Sequence, residues 1–440
     1  MSKRLTKATY IFYGLGVAYF MLDQVFNQWI QYFYLPSEKA IADYGISVIM
    51  PPIYLAIAFV IMRLVDAIAD PIVGYMSDNS NSRFGRRTFY MLIGIIPLAL
   101  SMIAFFFPVT SGAIIATLYL AFIGSIYFVA YTLVGGPYNA LIPDLATNKE
   151  ERLNLSTMQS VFRLIFTAIP LILSPIILSN MIKSGMSFIS AMRIMVSGFS
   201  ILSAIIVIVS VLLLKEPELA KNKTNDAKKI NFKEAFAYLK NKEIMLYFIG
   251  FFFFFSGFNI IRNSVLYYVT VILGQSEKAA STPTTILFAV SALFFPITQA
   301  LCKKFDYRKI MLFDLILIIF GTAGLMLFGV SSNLMFYTMF SIVGAGVSGS
   351  AFIFPPAMLS EISTRLYERD NVSVEGMMFG IQGLFLKLAL LVQIVTTTLV
   401  LPLGGTTGGA TRFGVMSTLA IAIVFLLISF ISYLLKKSEI

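Results

Sequence analysis

The chain has 440 residues, of which 58% are hydrophobic and only 12% carry a charge. Soluble domains carry about 25% charged residues, so this composition excludes an ordinary soluble protein. A single cysteine, Cys302, excludes a disulfide scaffold, and the lack of histidine argues against the usual zinc and haem sites. The formal net charge of +11 has a meaning that depends on where the basic residues lie.

Long apolar stretches occur along the whole chain, and each can cross about 30 Å of hydrocarbon as a helix of about 20 residues. We predict an all-α polytopic membrane protein with twelve transmembrane helices. The predicted spans are, in chain order, 8–35, 49–76, 88–107, 112–142, 154–181, 190–214, 243–273, 282–302, 309–329, 333–358, 376–402 and 410–435. The first span is too long for the apolar core of a signal peptide, and no small-residue cleavage site follows it.

The basic residues are distributed unequally between the two sides that these spans define. Of the 33 Lys and Arg, 24 lie at the termini and in the gaps after even-numbered spans, whereas four lie in the gaps after odd-numbered spans. The positive-inside rule then places both termini and the long polar loop in the cytoplasm. The basic charge is therefore a topology signal of a multi-pass protein of the cell membrane, and we expect no nucleic-acid partner.

One long polar stretch divides the spans six and six. We predict an N-terminal six-helix bundle at 1–214, a cytoplasmic central loop at 215–242 and a C-terminal six-helix bundle at 243–440. Short basic loops follow the second span of each half, at 78–88 and 303–309, and indicate two related halves. Six-plus-six helices with the substrate site between the halves is the architecture of major facilitator transporters. A channel or a membrane enzyme can also have twelve spans.

The strongest local signal is a pair of carboxylates within the second span. Asp66 and Asp70 are four residues apart, so both project from one face of a helix. An ionised carboxylate at mid-membrane costs about 2.5–3.5 kcal/mol on insertion scales, and two on one face repel each other. The pair therefore predicts a site for a coupling cation, Na⁺ or H⁺. The alternative is a structural ion pair with Arg63 or Lys387.

At this segment the chain resembles a known family. The run DAIADPIVGYMSD (66–78) followed by RFGRR (83–87) resembles the signature of the glycoside–pentoside–hexuronide:cation symporters, the melibiose permease-like family of the major facilitator superfamily. Further similarity follows in the expected order at 131–145, 149–163, 259–274 and 374–389. The resemblance implies a secondary transporter, not an enzyme, that carries a glycoside, sugar or sugar acid by alternating access. The coupling ion, Na⁺ or H⁺, is then the only cofactor expected.

The resemblance also assigns residues to the cation site. The positions that match the family's cation-binding and coupling residues are Asp66, Asp70, Thr132, Lys387 and Arg63. In the family, the hydroxyl ligand is on the fourth helix and the lysine is on the eleventh. The acid that the family carries on the fourth helix is missing, because Gly135 occupies its position. Two carboxylates instead of three weaken the case for sodium, so Na⁺ and H⁺ both stay open, with no other metal expected.

The family's sugar-binding pattern matches less well. Its first-helix acid aligns with Met21, although Asp23 follows two residues later. Its fifth-helix arginine aligns with Ser160, although Arg163 lies one helical turn further on. Asn139 stands at the position of its fourth-helix tryptophan. We therefore expect a substrate other than a plain galactoside.

Polar residues inside the spans indicate what lines the cavity instead. Such groups are unfavourable against lipid, so they should face the bundle interior or water. The candidate substrate-binding residues are Tyr19, Asp23, Asn27, Asn139, Arg163, Asn259, Arg262 and Asn263. Helix packing is the alternative role for each of them. Once the cation binds, the intramembrane charges sum to a positive interior, which favours a substrate bearing a carboxylate, sulfonate or phosphate.

The basic loop after the second span is the candidate cytoplasmic gate. We predict that it forms a latch that stabilises one conformation, and its residues are Asp78, Arg83, Arg86 and Arg87. Two other functions stay open. The same fold could carry or flip a lysophospholipid-like or other amphipathic anion, or the chain could be a non-transporting sensor or intramembrane enzyme. The expected partners are a small solute, for which the positive interior favours an anion, the coupling cation and the bilayer, with the monomer as the functional unit.

Overall fold

The computed structural model describes residues 5–78, 82–146, 149–214, 216, 239–302, 304–329, 332–351, 354–370, 375–405 and 408–436. The helices before the central loop are α1 (Lys7–Leu15), α2 (Phe20–Val25), α3 (Gln31–Tyr34), α4 (Glu38–Tyr44), α5 (Pro52–Asp78), α6 (Thr88–Ala104), α7 (Ala113–Leu145), α8 (Lys149–Lys183) and α9 (Phe188–Leu214). Those after it are α10 (Lys242–Tyr267), α11 (Ser281–Cys302), α12 (Tyr307–Leu327), α13 (Asn333–Ser350), α14 (Phe354–Asp370), α15 (Glu375–Val400) and α16 (Arg412–Leu435).

Most of these helices have the length and composition of membrane spans. Within the described ranges, nine helical segments are long and apolar enough to cross a bilayer, and α6 is a shorter apolar helix. Together with the first helix and α13, they occupy the positions of the twelve predicted spans. The predicted all-α polytopic fold is therefore confirmed, and the helix positions are consistent with twelve spans.

Two predicted spans are not continuous helices. A 3₁₀ turn (Gly16–Tyr19) separates α1 from α2, and a π-helical turn (Phe26–Ile30) separates α2 from α3. The tenth predicted span, 333–358, covers parts of two helices, because α13 ends at Ser350 and α14 begins at Phe354. Two prolines follow Phe354 directly, and proline is tolerated in the first turn of a helix but not in its interior.

The chain folds into two compact units. The first comprises Met1–Pro36 with Ala40–Asn225, and the second comprises Ser37–Lys39 with Asp226–Ile440. Of the central loop predicted at 215–242, the structure describes only Glu216 and 239–242. The core of the first unit contains an aromatic cluster in which the Tyr127 ring lies 5.1 Å from Phe26, 5.4 Å from Phe105 and 5.1 Å from Phe128.

Helix α5 has one side built for lipid and one built for the protein interior. Its exposed apolar residues recur every three or four positions and are Ile53, Ile57, Ile61, Leu64, Ile68 and Ile72. Residues at this spacing lie along one face of a helix. Arg63 and Asp66 lie on the opposite face and are only 7% and 2% exposed. Arg63 and Asp66 therefore face the interior of the unit, at the same level along α5 as its exposed apolar residues.

Candidate functional site

The two carboxylates of α5 have different surroundings. Asp66 is buried, and its carboxylate lies 3.5 Å from the Arg63 guanidinium one turn earlier on the same helix. Asp70 is exposed, and its carboxylate accepts a hydrogen bond of 2.9 Å from the Thr132 hydroxyl on α7. Four of the residues predicted for the cation site thus lie on neighbouring turns of α5 and on the facing α7: Arg63, Asp66, Asp70 and Thr132. The charge of Asp66 is balanced within its own helix, whereas Asp70 is the more accessible carboxylate.

Close packing of α5 on α7 brings the Thr132 hydroxyl within reach of Asp70. A Cβ added at Gly124 would lie 2.3 Å from Met62 of α5, so no larger residue fits there without a shift. Thr132 follows two turns later on α7 and is 5% exposed. The glycine therefore sets the helix separation on which the Thr132–Asp70 hydrogen bond depends.

The Arg63 guanidinium is held between an acid and an aromatic ring. Its Cζ lies 4.4 Å from the centre of the Phe128 ring on α7, a cation–π distance. Arg63 is therefore a component of the first unit's interior rather than a residue facing a solute. Lys387, the remaining predicted member of the cation site, lies partly buried on α15 of the second unit, and its role stays a prediction.

The broken first helix presents the predicted substrate residues at its two irregular turns. Tyr19 ends the 3₁₀ turn and is 4% exposed, whereas Asp23 and Asn27 on either side of the π-helical turn's start are partly exposed. The Asn27 amide donates to the Asp23 backbone carbonyl at 2.7 Å. The Gln24 amide donates to the Asp23 carboxylate at 2.9 Å. Single π-helical turns are frequent at functional sites, because the extra residue re-aims the side chains around it.

Gly135, which stands where the family carries an acid on its fourth helix, packs closely against Tyr19. A Cβ added at Gly135 would lie only 3.1 Å from the Tyr19 hydroxyl. The Tyr19 ring packs edge-on against Tyr131 at 5.2 Å and against Tyr138 at 5.9 Å. The space that a side chain at position 135 would need is therefore bordered closely by a tyrosine hydroxyl of the first helix.

Two polar groups of α8 border the same region. The Arg163 guanidinium is exposed and lies 4.1 Å from the centre of the Phe20 ring, next to Tyr19 in sequence. The Gln159 amide donates to the Asn139 side-chain carbonyl at 2.7 Å. Arg163 thus lies against the first helix, and Asn139 is bonded to α8. Their role in substrate binding stays a prediction.

The predicted substrate residues of the second unit lie on α10. The Asn259 amide donates to the Phe255 carbonyl of its own helix at 2.7 Å, and the residue is buried, which is a packing contact. Arg262 and Asn263 follow it and are both partly buried.

Trp29, the one tryptophan of the chain, is fully buried. Its indole N–H donates to the Ser174 hydroxyl on α8 at 2.7 Å. Its contacts are therefore those of a packing residue between helices. This leaves tyrosines such as Tyr19 and Tyr131 as the aromatic groups near the predicted substrate residues of this unit.

The predicted cytoplasmic latch contains a compact network. The Arg86 guanidinium binds both oxygens of the Asp144 carboxylate at 2.8 Å, and Arg87 Nε binds Asp144 at 3.0 Å. Arg87 also donates to the Ser77 hydroxyl at 2.8 Å. Arg83 lies over the neighbouring Phe84 ring instead. The Asp78 side chain lies outside what the structure describes.

Glu216 also belongs to this network, although the sequence did not predict it as a gate residue. The residue is 2% exposed and accepts hydrogen bonds from the Arg87 backbone N–H at 3.0 Å and the Thr88 backbone N–H at 2.8 Å. Because it falls in the polar stretch after α9, composition assigns it to the loop. No local sequence pattern marks it, because the N–H groups that it binds lie at the start of α6, which has no capping side chain of its own.

Comparison with known proteins identifies the family. Residues 12–436 match the family described as MFS/sugar transport protein. The chain therefore belongs to this family of membrane transporters, which are not enzymes, and the resemblance to the glycoside–pentoside–hexuronide:cation symporters is confirmed.

Individual relatives and solved structures agree with this assignment. An uncharacterised symporter, YnaJ, of Bacillus subtilis is 25% identical over 379 residues, covering 84% of this chain and 80% of the relative. The isoprimeverose transporter of Lactiplantibacillus pentosus is 25% identical over 353 residues, covering 79% of this chain and 72% of the relative. The solved structure of a D-xylose-proton symporter has a TM-score of 0.68 at 14% identity, covering 98% of this chain and 97% of that chain. At such identity the structural likeness shows the fold, which is that of the major facilitators.

Proposed function

We propose that this protein is a symporter that uses a Na⁺ or H⁺ gradient to accumulate a sugar or glycoside across the cell membrane. The observation that carries the proposal is the polar group on α5 and α7, where Thr132 binds Asp70 beside the Arg63–Asp66 pair. Intramembrane carboxylates are costly and mark ion or substrate pathways. A relative named as a symporter matches 84% of this chain.

The surroundings of the two carboxylates suggest separate roles in cation binding. Asp66 already has a cationic neighbour in Arg63, whereas Asp70 is exposed and can be reached by an incoming ion. A proton would neutralise Asp70 directly. For Na⁺, the Thr132 hydroxyl can turn its lone pairs toward the ion, since a hydroxyl both donates and accepts. Either ion would be held by oxygen atoms of Asp70 and Thr132, with Asp66 completing the site.

Symport follows if the cation and the sugar change each other's affinity. Such coupling is reciprocal, and it is typically worth about 1–3 kcal/mol. In transporters of this architecture, one half of the molecule rocks against the other around a fixed site. We propose that cation binding removes the negative charge on α5 and thereby favours the sugar-binding form of the first helix, which carries Asp23 and Asn27.

The substrate class is inferred from the relatives and from the charge of the first unit. Relatives include the isoprimeverose transporter and a lactose permease of Lactobacillus delbrueckii subsp. bulgaricus, 25% identical over 71% of this chain and 49% of its own length. Arg163 is exposed beside Tyr19, and no acid at position 135 opposes it. We therefore propose a sugar or glycoside, with a carboxylate-bearing sugar acid preferred over its neutral counterpart.

Uptake by the purified protein in proteoliposomes tests this function. Labelled isoprimeverose, lactose, D-xylose and a hexuronide would be offered under an imposed Na⁺ gradient or pH gradient, with equal salt on both sides as the control. We expect one of these sugars to accumulate against its gradient with one of the ions. Failure of every sugar to accumulate with either ion would refute the proposal.

The proposed orientation, with both termini cytoplasmic, has its own test. Arg83→Cys, combined with Cys302→Ser, puts a single thiol at an exposed loop position. Position 85 is unsuitable, because a Cβ there would lie 2.3 Å from the Glu216 carboxylate. A membrane-impermeant thiol reagent should label position 83 in inverted vesicles and not in intact cells. Labelling of intact cells would reverse the topology.

A further inference from the structure

The hydroxyl of Tyr127 on α7 is a buried polar group that packing does not require. The side chain is fully buried, and its hydroxyl has no hydrogen-bond partner among the residues that the structure describes. Leaving a buried donor unsatisfied costs about 1–3 kcal/mol. Phenylalanine would fill the same aromatic cluster without that cost, so packing alone does not account for a tyrosine here.

The surroundings of this residue join the two predicted sites. Its ring stacks at 5.1 Å on Phe26, three residues after Asp23 on the first helix. Its neighbour in sequence, Phe128, carries the Arg63 guanidinium on its face at 4.4 Å. The charges of Asp23, Arg63 and Asp66 all act on the Tyr127 hydroxyl. The Tyr127 ring therefore packs between the first-helix segment that follows Asp23 and the aromatic ring that contacts Arg63.

A second unsatisfied donor lies in the same region. The Nη2 atom of Arg63 is buried and has no hydrogen-bond partner among the described residues. Arg63 and Tyr127, whose neighbour Phe128 contacts the Arg63 guanidinium, thus each have a buried donor atom that is unused in this conformation. An unpaired buried donor is costly in a low-dielectric interior, so a conformation that pairs either donor is favoured.

We propose that the Tyr127 hydroxyl is a positioning group that couples cation binding at Asp66 and Asp70 to Asp23. The hydroxyl has a single proton, so it can donate to Asp66 or to Asp23 but not to both. A cation bound on α5 makes Asp66 a weaker acceptor and leaves the hydroxyl to Asp23, which then orients that carboxylate for the sugar. The inference rests on the proposed function, because it requires a cation on α5.

A double-mutant cycle on cation affinity tests the coupling without knowledge of the sugar. Wild type, Asp23→Asn, Tyr127→Phe and the double variant would be titrated with NaCl at constant ionic strength, and with pH in sodium-free buffer. Binding would be followed by the rise in thermal unfolding temperature of the purified protein, since a ligand that binds only the folded state stabilises it. Tyr119→Phe is the matched control, because its hydroxyl, also on α7, donates to the Ala104 carbonyl at 2.9 Å.

We expect Asp23→Asn to change cation affinity by about fivefold or more, the lower end of typical coupling energies. In the Tyr127→Phe background the same substitution should have no measurable effect on cation affinity. Without cation, Tyr127→Phe should unfold at the same temperature as the wild type or at a higher one. Tyr119→Phe should leave the effect of Asp23→Asn intact. A purely structural tyrosine would not alter this cycle.

Two results would overturn the inference. One is an equal effect of Asp23→Asn with and without Tyr127→Phe, and the other is no effect of Asp23→Asn in the wild-type background. Either result, together with gradient-driven sugar uptake by the wild type, would refute the inference alone. If neither NaCl nor pH changes the unfolding of wild type and no sugar accumulates, the proposed function fails as well.

Discussion

The Glu216 carboxylate accepts a hydrogen bond from the Thr88 backbone N–H and another from the Thr88 hydroxyl, both at 2.8 Å. Helix α6 begins at Thr88 without a capping side chain of its own, so an acid that follows α9 in the sequence satisfies its first N–H groups. A negative charge at a helix N-terminus also interacts favourably with the helix dipole. Gly85 has a φ of 110° and leaves the space in which this carboxylate lies.

This relationship makes Glu216 a stability determinant of the first unit. We expect Glu216→Ala to lower the free energy of unfolding by about 1–3 kcal/mol, because buried N–H groups lose their acceptor. Thermal unfolding in detergent would measure the change. The control is Glu361→Ala, whose exposed ion pair with Arg365 on α14 should contribute about 0.5 kcal/mol or less. Equal losses in the two variants would show that Glu216 does not cap α6.

Replacing the two carboxylates of α5 should have different effects on stability but the same effect on transport. Asp66→Asn leaves the buried Arg63 without its partner, and breaking a buried pair typically costs about 3–5 kcal/mol. Asp70→Asn alters an exposed residue and should cost about 0.5 kcal/mol or less. Both variants should lose gradient-driven accumulation of sugar in proteoliposomes. Asp43→Asn, an exposed acid on α4, is the control in both assays.

Retention of accumulation by both carboxylate variants would show that Asp66 and Asp70 are structural and that coupling occurs elsewhere. A large loss of stability in Asp70→Asn, with none in Asp66→Asn, would contradict the different surroundings that the structure gives them.

Adjacent glycines on α7 offer a matched pair for the substrate site. Gly135→Ala should displace the Tyr19 hydroxyl, because the added Cβ would lie 3.1 Å from it. We expect sugar affinity to fall by about tenfold, or 1.4 kcal/mol, with the effect of the cation on that affinity preserved. Gly136→Ala meets nothing within 4 Å and should bind sugar as the wild type does. Calorimetric titration with the accumulated sugar would measure both, and equal affinities would exclude Tyr19 from the site.

The guanidinium of Arg163 is expected to select for an anionic sugar. Arg163→Gln should weaken binding of a hexuronide by about 1.5–3 kcal/mol, the contribution of a hydrogen bond to a charged group, and should change binding of the neutral sugar less. Arg193→Gln is the control, because Arg193 lies 4.2 Å over the Phe107 ring in the same way but donates to the Phe106 carbonyl. Competition of each sugar against uptake would provide the comparison. Equal effects on both sugars would remove the preference for sugar acids.

Sequence patterns were sufficient for the span positions and for the shared face of Asp66 and Asp70, because both follow from helical periodicity. Only the family resemblance predicts a role for the Thr132 hydroxyl, which lies 2.9 Å from Asp70 in the structure. Periodicity could not tell the two carboxylates apart, since their difference depends on the Arg63 side chain and on the approach of α7. These are tertiary contacts that no local pattern encodes.

Other features depended on long-range contacts or on competing local rules. Glu216 reads as a loop residue from its polar neighbours, and its burial follows only from the position of α6. Composition does not mark the end of α13 at Ser350, because apolar residues continue beyond it. The prolines that follow Phe354 favour a new helix start. The π-helical turn after Asp23 leaves no distinct compositional signal.

Trp29 has a practical consequence. It is the chain's single tryptophan, it lies on the broken helix that carries Asp23 and Asn27, and its indole N–H is bonded to Ser174 of α8. The wild-type protein therefore has a built-in fluorophore at the junction of the first helix and α8. Indole emission depends on hydrogen bonding and on exposure to water, so a shift of the first helix against α8 should change the emission spectrum. Conformational changes on addition of cation or sugar can thus be followed in the unlabelled protein, in detergent or in lipid.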